Sequence, residues 1–184
     1  YQIAAISGSG VEATLTGSAV LTAAANVASV SPKGTPAVYG KELSVKYDDV
    51  SVNNPTLADK TITKLGNLDR TMILTGNDLK RYIKIVSQIS CEYCCGAESI
   101  ITKDGQPACG CAHSFAMRGL AKYLITKHPD VKDDAILEEL GKWKTLVEKC
   151  RRTRDAKLLE LRNEAGDPDF NPDSGPQLIK LLFE

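Results

Sequence analysis

Asn77-Asp78-Leu79-Lys80-Arg81-Tyr82-Ile83-Lys84-Ile85-Val86-Ser87-Gln88-Ile89-Ser90 is the stretch on which the fold class turns. Leu79, Tyr82, Ile83, Val86 and Ile89 fall at i, i+3, i+4 and i+7 spacing, the signature of a helix with one buried face. Asn77 and Asp78 are both good caps, and the periodicity predicts a helix running to Ser90, where cysteines take over. Upstream, Thr56 is read as the cap of a helix with Leu57, Ile62 and Leu65 inward, stopped by Gly66-Asn67. Downstream, Ala116, Met117, Leu120, Ala121 and Leu124 predict a helix over about Ala112 to Lys127, ended by His128-Pro129. Asp133 or Asp134 would cap a last, long helix with Ile136, Leu140, Trp143, Val147 and Cys150 on one seam. It would continue towards Leu161 and end at Gly166-Asp167-Pro168. The fold class is therefore mainly α: a small helical bundle with a Cys-rich loop between two helices, preceded by an extended N-terminal arm with room for short β-strands.

Three regions follow: an arm and linker (1–37), a helical Cys-rich metal-binding domain (38–165), and an Asp/Pro-rich turn with an apolar tail (166–184). The arm is rich in Ala, Ser, Gly, Thr and Val, and up to residue 32 its one charge is Glu12. Such a segment buries too little by itself to offset its ordering entropy, so a partner surface is expected, within the chain or on a neighbouring subunit. Pro32-Lys33-Gly34-Thr35-Pro36 reads as a linker with a turn at Gly34. Weak alternation through Leu43, Val45 and Tyr47 leaves room for one short strand between Val38 and Val52.

The 184 residues carry 23 basic and 23 acidic side chains, and this balance argues against a dedicated nucleic-acid binder, which needs clustered cations. The run Lys149-Cys150-Arg151-Arg152-Thr153-Arg154 lacks interleaved aromatics and reads as a solvated helix face paired with Glu148 or Asp155. No stretch approaches the roughly 20 apolar residues that span a bilayer. The chain opens at Tyr1, which removal of an upstream signal or anchor would explain, as would truncation. The expectation drawn is an exported chain at the cell surface or outside it.

Chemistry concentrates between residues 91 and 113, which hold five of the six cysteines and one of the two histidines. Cys91-Glu92-Tyr93-Cys94-Cys95-Gly96 places two thiolates at chelating spacing. Cys109-Gly110-Cys111-Ala112-His113 forms a second tight unit, and Lys103-Asp104-Gly105 between them signals a turn, a candidate hairpin tip. The candidate metal ligands are Cys91, Cys94, Cys95, Cys109, Cys111 and His113. Two donors from each unit would make the sulfur-rich tetrahedron that zinc prefers. Copper, with Met117 one turn along, is the second option, and six donors leave an iron–sulfur site open. Six cysteines in an exported chain also suit three disulfides, and Cys91 with Cys94 suits thiol–disulfide exchange. Cys150 stands apart on the long helix. Asp167, Asp169, Asn171 and Asp173 alternate as in calcium loops, although Pro172 occupies the glycine position and no Glu closes the loop, so a solvated turn is the competing reading.

The run Cys91 to Gly96, followed by Cys109-Gly110-Cys111-Ala112-His113-Ser114 and Met117-Arg118-Gly119-Leu120-Ala121, resembles a group of uncharacterised prokaryotic Cys-rich proteins, exported or membrane-anchored. The resemblance covers about residues 38–147 and implies location rather than chemistry. No nucleophile elbow, phosphate loop or dinucleotide fingerprint is present, so no enzyme is expected. The functional expectation is an exported, non-enzymatic protein with a sulfur-rich metal site that assembles with copies of itself into a filament or layer. Its alternatives are a copper-handling or electron-transfer protein, and a disulfide-stapled or thiol-redox domain.

Overall fold

The computed structural model describes residues 31–91 and 97–171. The chain divides into two units, Tyr1–Ser31 and Pro32–Glu184, and every described helix belongs to the second. The arm and the apolar tail from Pro172 lie outside the described residues.

Four α-helices are present among the described residues: α1 (Pro55–Thr71), α2 (Gly76–Val86), α3 (Ala112–Lys127) and α4 (Asp133–Ala165). The architecture is the expected helical bundle. Helix α3 is its hub and packs against the other three. Every residue from Ala116 to Ala121 is buried, as are Leu124 and Ile125. A helix buried around so much of its circumference belongs at a centre rather than on a surface. The core around it includes Leu65, Tyr82, Ile85, Val86, Ile136, Leu140 and Trp143, and each fully buried large aliphatic side chain contributes about 1.5–3 kcal/mol.

Helix α1 begins one cap earlier than expected. Asn54 accepts from Leu57 N–H at 3.1 Å and Pro55 occupies the first turn, where its missing N–H costs nothing. It also runs through Gly66-Asn67 to Thr71. Its buried positions, Ala58, Thr61, Ile62, Leu65, Gly66 and Asp69, form a regular helical stripe that polar members conceal in the sequence. Gly66 is a crossing point and not a stop. A Cβ there would lie 3.3 Å from Phe115 Cβ, and one on Gly119 would lie 2.1 Å from the Leu65 carbonyl oxygen. Bare backbone on both helices lets α1 and α3 meet closely, and this brings Asp69 to Arg118, a buried ion pair at 2.8 Å.

Helix α2 ends at Val86, with Ser87 as its C-cap, short of the expected Ser90. Tyr82, Val86 and Ile89 are buried as predicted, but Ile85 is fully buried while Leu79 and Ile83 are only partly so. Arg81 and Lys84 reach across to Asp133 at 2.8 and 2.9 Å, which ties α2 to the start of α4, where the Asp133 carboxylate itself complements the helix's N-terminal dipole. Lys132, not Asp133, is the N-cap of α4. The helix passes Leu161 and closes at Gly166, whose φ of 63° is the left-handed cap that glycine adopts without strain.

No strand forms between Val38 and Val52. Turns cover this segment, with a 3-10 turn at Tyr47–Asp49. Tyr39 and Tyr47 point inward, and both hydroxyls donate to Glu139 Oε2, at 2.9 and 2.5 Å. Trp143 Nε1 donates in turn to the Tyr39 hydroxyl. With polar anchors on α4 taking its inward side chains, the segment needs no neighbouring strand. Gly34, with φ 76°, makes the expected turn, and its N–H and carbonyl bond Asp48 and Tyr47 N–H.

Candidate metal centre

The loop joining α2 to α3 folds back on itself. Thr102 N–H bonds the Gln106 carbonyl at 2.8 Å, and Ile101 and Pro107 form an antiparallel bridge. Gly105 turns the tip with φ 84°, so the predicted hairpin is present in minimal form. Ile100 N–H reaches the Ile89 carbonyl at 3.1 Å, pinning the hairpin beside the end of α2. Cys91 and Cys109 therefore come together although the chain between them is long.

Cys91, Cys109 and Cys111 place their sulfur atoms within 4.8 Å of one another. Cys91 Sγ and Cys111 Sγ are 3.5 Å apart. An S–S bond would need about 2.05 Å, and no disulfide forms among the described cysteines. Two thiolates on a tetrahedral zinc ion, with Zn–S near 2.3 Å, lie about 3.8 Å apart. The three sulfurs are close enough together that one ion could be held between them. Cys91 and Cys109 are buried and Cys111 is half-buried, so the cluster meets solvent on the Cys111 side.

Cys111 is also the N-cap of α3. Its sulfur accepts from Ser114 N–H at 3.4 Å and lies 3.2 Å from the buried Ser114 hydroxyl. Burial pushes this thiol up. Hydrogen bonds from the His113 ring, the Ser114 side chain and backbone N–H, and Cys109 outweigh it, and the thiol falls from 9.0 to about 5. The helix N-terminus favours the thiolate in the same direction. His113 thus acts on the cluster by lowering the Cys111 thiol and is not grouped with the three sulfurs.

Cys94 and Cys95 lie outside the described residues, as does Asp173. Met117 is core, 2% exposed. Cys150 is half-buried on α4, apart from the cluster, with burial raising its thiol. Asp167 accepts from Asp169 N–H at 2.8 Å in a local turn, and Phe170 beside it is buried. Arg151 and Arg154 of the basic run pair with Asp155, at 3.7 and 2.9 Å. His128 caps the end of α3 and bonds Glu42 at 2.9 Å. Sequence reasoning overlooked Ser114. Its signal was available, because a cap residue engages the N–H three positions on, and Ser114 stands three after Cys111.

Fold and site together define a small helical domain that carries a three-thiol cluster, two of its cysteines buried and one half-buried, between a hairpin and the start of its central helix. No protein-family model, curated protein or solved structure matches the chain. Among the described residues no helix is long and apolar enough to cross a membrane.

Proposed function

We propose that this protein binds one transition-metal ion through Cys91, Cys109 and Cys111, with zinc the first choice, and that the ion is structural rather than catalytic. The observation that carries this reading is the convergence of three sulfurs within 4.8 Å from two chain segments. A metal would close the loop between α2 and α3, and binding energy at such a site adds directly to folding energy. The C-x-x-C spacing nominates Cys94 for the fourth position. His113, two residues after Cys111 on the same helix turn, is the alternative nitrogen donor. Copper would reveal itself by visible absorption on oxidation, which zinc cannot show, and an iron–sulfur cluster by its colour and acid-labile sulfide.

Export and assembly with copies of itself complete the proposal. They are supported by the weakly charged composition of residues 1–31 and by the resemblance over residues 38–147. An extended arm of this kind would add to a neighbour as a strand.

A second reading is favoured by a specific observation. Cys111 is half-exposed, its thiol is lowered to about 5, and a second sulfur lies 3.5 Å away. These are properties of a thiol–disulfide redox pair, made here by Cys91 and Cys111.

Elemental analysis of the native protein, with thiols counted before and after denaturation, separates the two. The metal reading expects one transition-metal ion per chain and cysteines that titrate fully only after unfolding or chelation. Cysteines that titrate rapidly in the native state, with no metal bound and none taken up from added Zn²⁺ or Co²⁺, would overturn it and leave the redox pair.

A further inference from the structure

Arg118 has no exposed surface at all, which is rare for a side chain that cannot shed its charge. Its Nε donates to Asp69 Oδ2 at 2.8 Å. Its Nη1 donates to two backbone carbonyls, Ile100 at 3.2 Å and Cys109 at 2.9 Å. Those carbonyls stand at the two feet of the hairpin, one strand leading away from the Cys91 side and the other ending on a cluster sulfur. The Ile100 carbonyl also takes Ala108 N–H at 3.1 Å, so the guanidinium sits over the point where the feet close. The Phe115 ring lies 4.5 Å away and covers the guanidinium.

A charge buried to this degree is costly to desolvate, and an ion pair with Asp69 alone would be replaceable by apolar packing. Asp69, moreover, does not depend on Arg118: Lys122 Nζ bonds its Oδ1 at 2.7 Å and its carbonyl at 2.8 Å. What needs Arg118 in particular is the planar guanidinium fork, whose Nε takes the carboxylate while Nη1, a separate nitrogen fixed in the same plane, reaches both carbonyls; among the described residues its buried Nη2 has no hydrogen-bond partner. Gly119 completes the arrangement, since only a residue without Cβ lets α1 approach closely enough for Asp69 to aim that fork.

We infer that Arg118 is the positioning residue of the thiol cluster: aimed by Asp69, it clamps the hairpin feet at Ile100 and Cys109 and so holds Cys109 Sγ against Cys91 and Cys111. The inference rests on the metal-site reading for its consequence, but the clamp itself is a property of the chain without metal. Removing a group that orients ligands in this way typically costs roughly 10- to 100-fold in metal affinity.

The test compares Arg118→Met and Arg118→Lys with Leu140→Ala, a core truncation on α4 that serves as a matched destabilisation. Arg118→Met leaves Asp69 paired with Lys122 and fills the space, so the fold survives. Arg118→Lys keeps the charge but presents one ammonium where the guanidinium presents two nitrogens, one to the carboxylate and one to the carbonyls. Two readouts are taken on the full chain: Co²⁺ affinity with the ligand-field spectrum of the complex, and amide exchange of Ile100 and Ala108 without metal. Both Arg118 variants are expected to lose roughly 10- to 100-fold in Co²⁺ affinity, with an altered spectrum, and to exchange faster at Ile100 and Ala108 than Leu140→Ala does. The inference is overturned if Arg118→Lys matches wild type in both readouts, or if both Arg118 variants match Leu140→Ala. If wild type itself takes up no Co²⁺, the metal-site reading fails on its own. Amide exchange then decides the clamp: unchanged protection at Ile100 and Ala108 overturns it, and lost protection upholds it.

Discussion

Cys111 performs two roles with one sulfur atom. It caps the central helix and faces Cys91 and Cys109, so the same hydrogen bonds that start α3 also favour its thiolate. Cys150 has neither feature, since burial raises its thiol and it belongs to no group of candidate ligands among the described residues. Cys111→Ser should therefore lose stoichiometric metal, whereas Cys150→Ser should retain it, as elemental analysis of the two variants will show. The cap also predicts a pH dependence. The Cys111 thiol is lowered from 9.0 to about 5 in the folded chain, so between those values the unfolded state binds more protons than the native one. The resulting stabilisation is complete above pH 9 and lost as pH falls through about 5. Denaturant midpoints of metal-free wild type and Cys111→Ser should differ most at alkaline pH and converge below pH 5. A gap that stays constant with pH would exclude the cap as its source.

At the scale of elements, the α1–α3 crossing is where backbone shape governs packing. Glycine in a helix ordinarily costs about 1 kcal/mol relative to alanine, so Gly→Ala in open space is a gain. Gly141 on α4 has nothing within 4 Å of an added Cβ, and Gly141→Ala should raise stability by up to about 1 kcal/mol. The same change at Gly119 drives a methyl into the Leu65 carbonyl and Asp69 N–H. Overpacking of this kind costs about 1–3 kcal/mol, enough to reverse the propensity gain, and separating the helices also withdraws Asp69 from Arg118. Urea unfolding of the two variants gives opposite signs if the crossing is as tight as described. Equal gains at both positions would contradict it.

For the whole molecule, the core among the described residues lies within residues 39–170, from Tyr39 to Phe170. A chain begun at Pro32 should consequently fold, with the same helical circular dichroism and a melting temperature close to that of the full chain. If residues 1–31 are the assembly element, that shortened chain should also be monomeric by sedimentation under conditions where the full chain associates. Retained association without the arm would transfer the assembly surface to the helical domain, and a full chain that stays monomeric would end the assembly proposal.

Local chemistry alone was enough for those features whose cause lies within a turn or two of chain. Helix α3 occupies Ala112–Lys127 as its apolar spacing predicts, α4 stops at Gly166, and Gly105 turns the hairpin, because each depends on side chains and φ angles close in sequence. Where a distant partner supplied the free energy, the sequence misled. Gly66 reads as a stop until Phe115 shows it to be a contact point, and the segment around Tyr39 and Tyr47 reads as a strand until Glu139 takes both hydroxyls. The candidate site divides the same way. Cysteine spacing marked Cys91, Cys109 and Cys111 as candidate ligands and set Cys150 apart, but no spacing rule reveals which donors converge, or that a fully buried Arg118 bonds the loop between them. Those facts were decided by tertiary structure, because a helix crossing with no side chains in its way is what brings α1, α3 and the hairpin within reach of a single guanidinium.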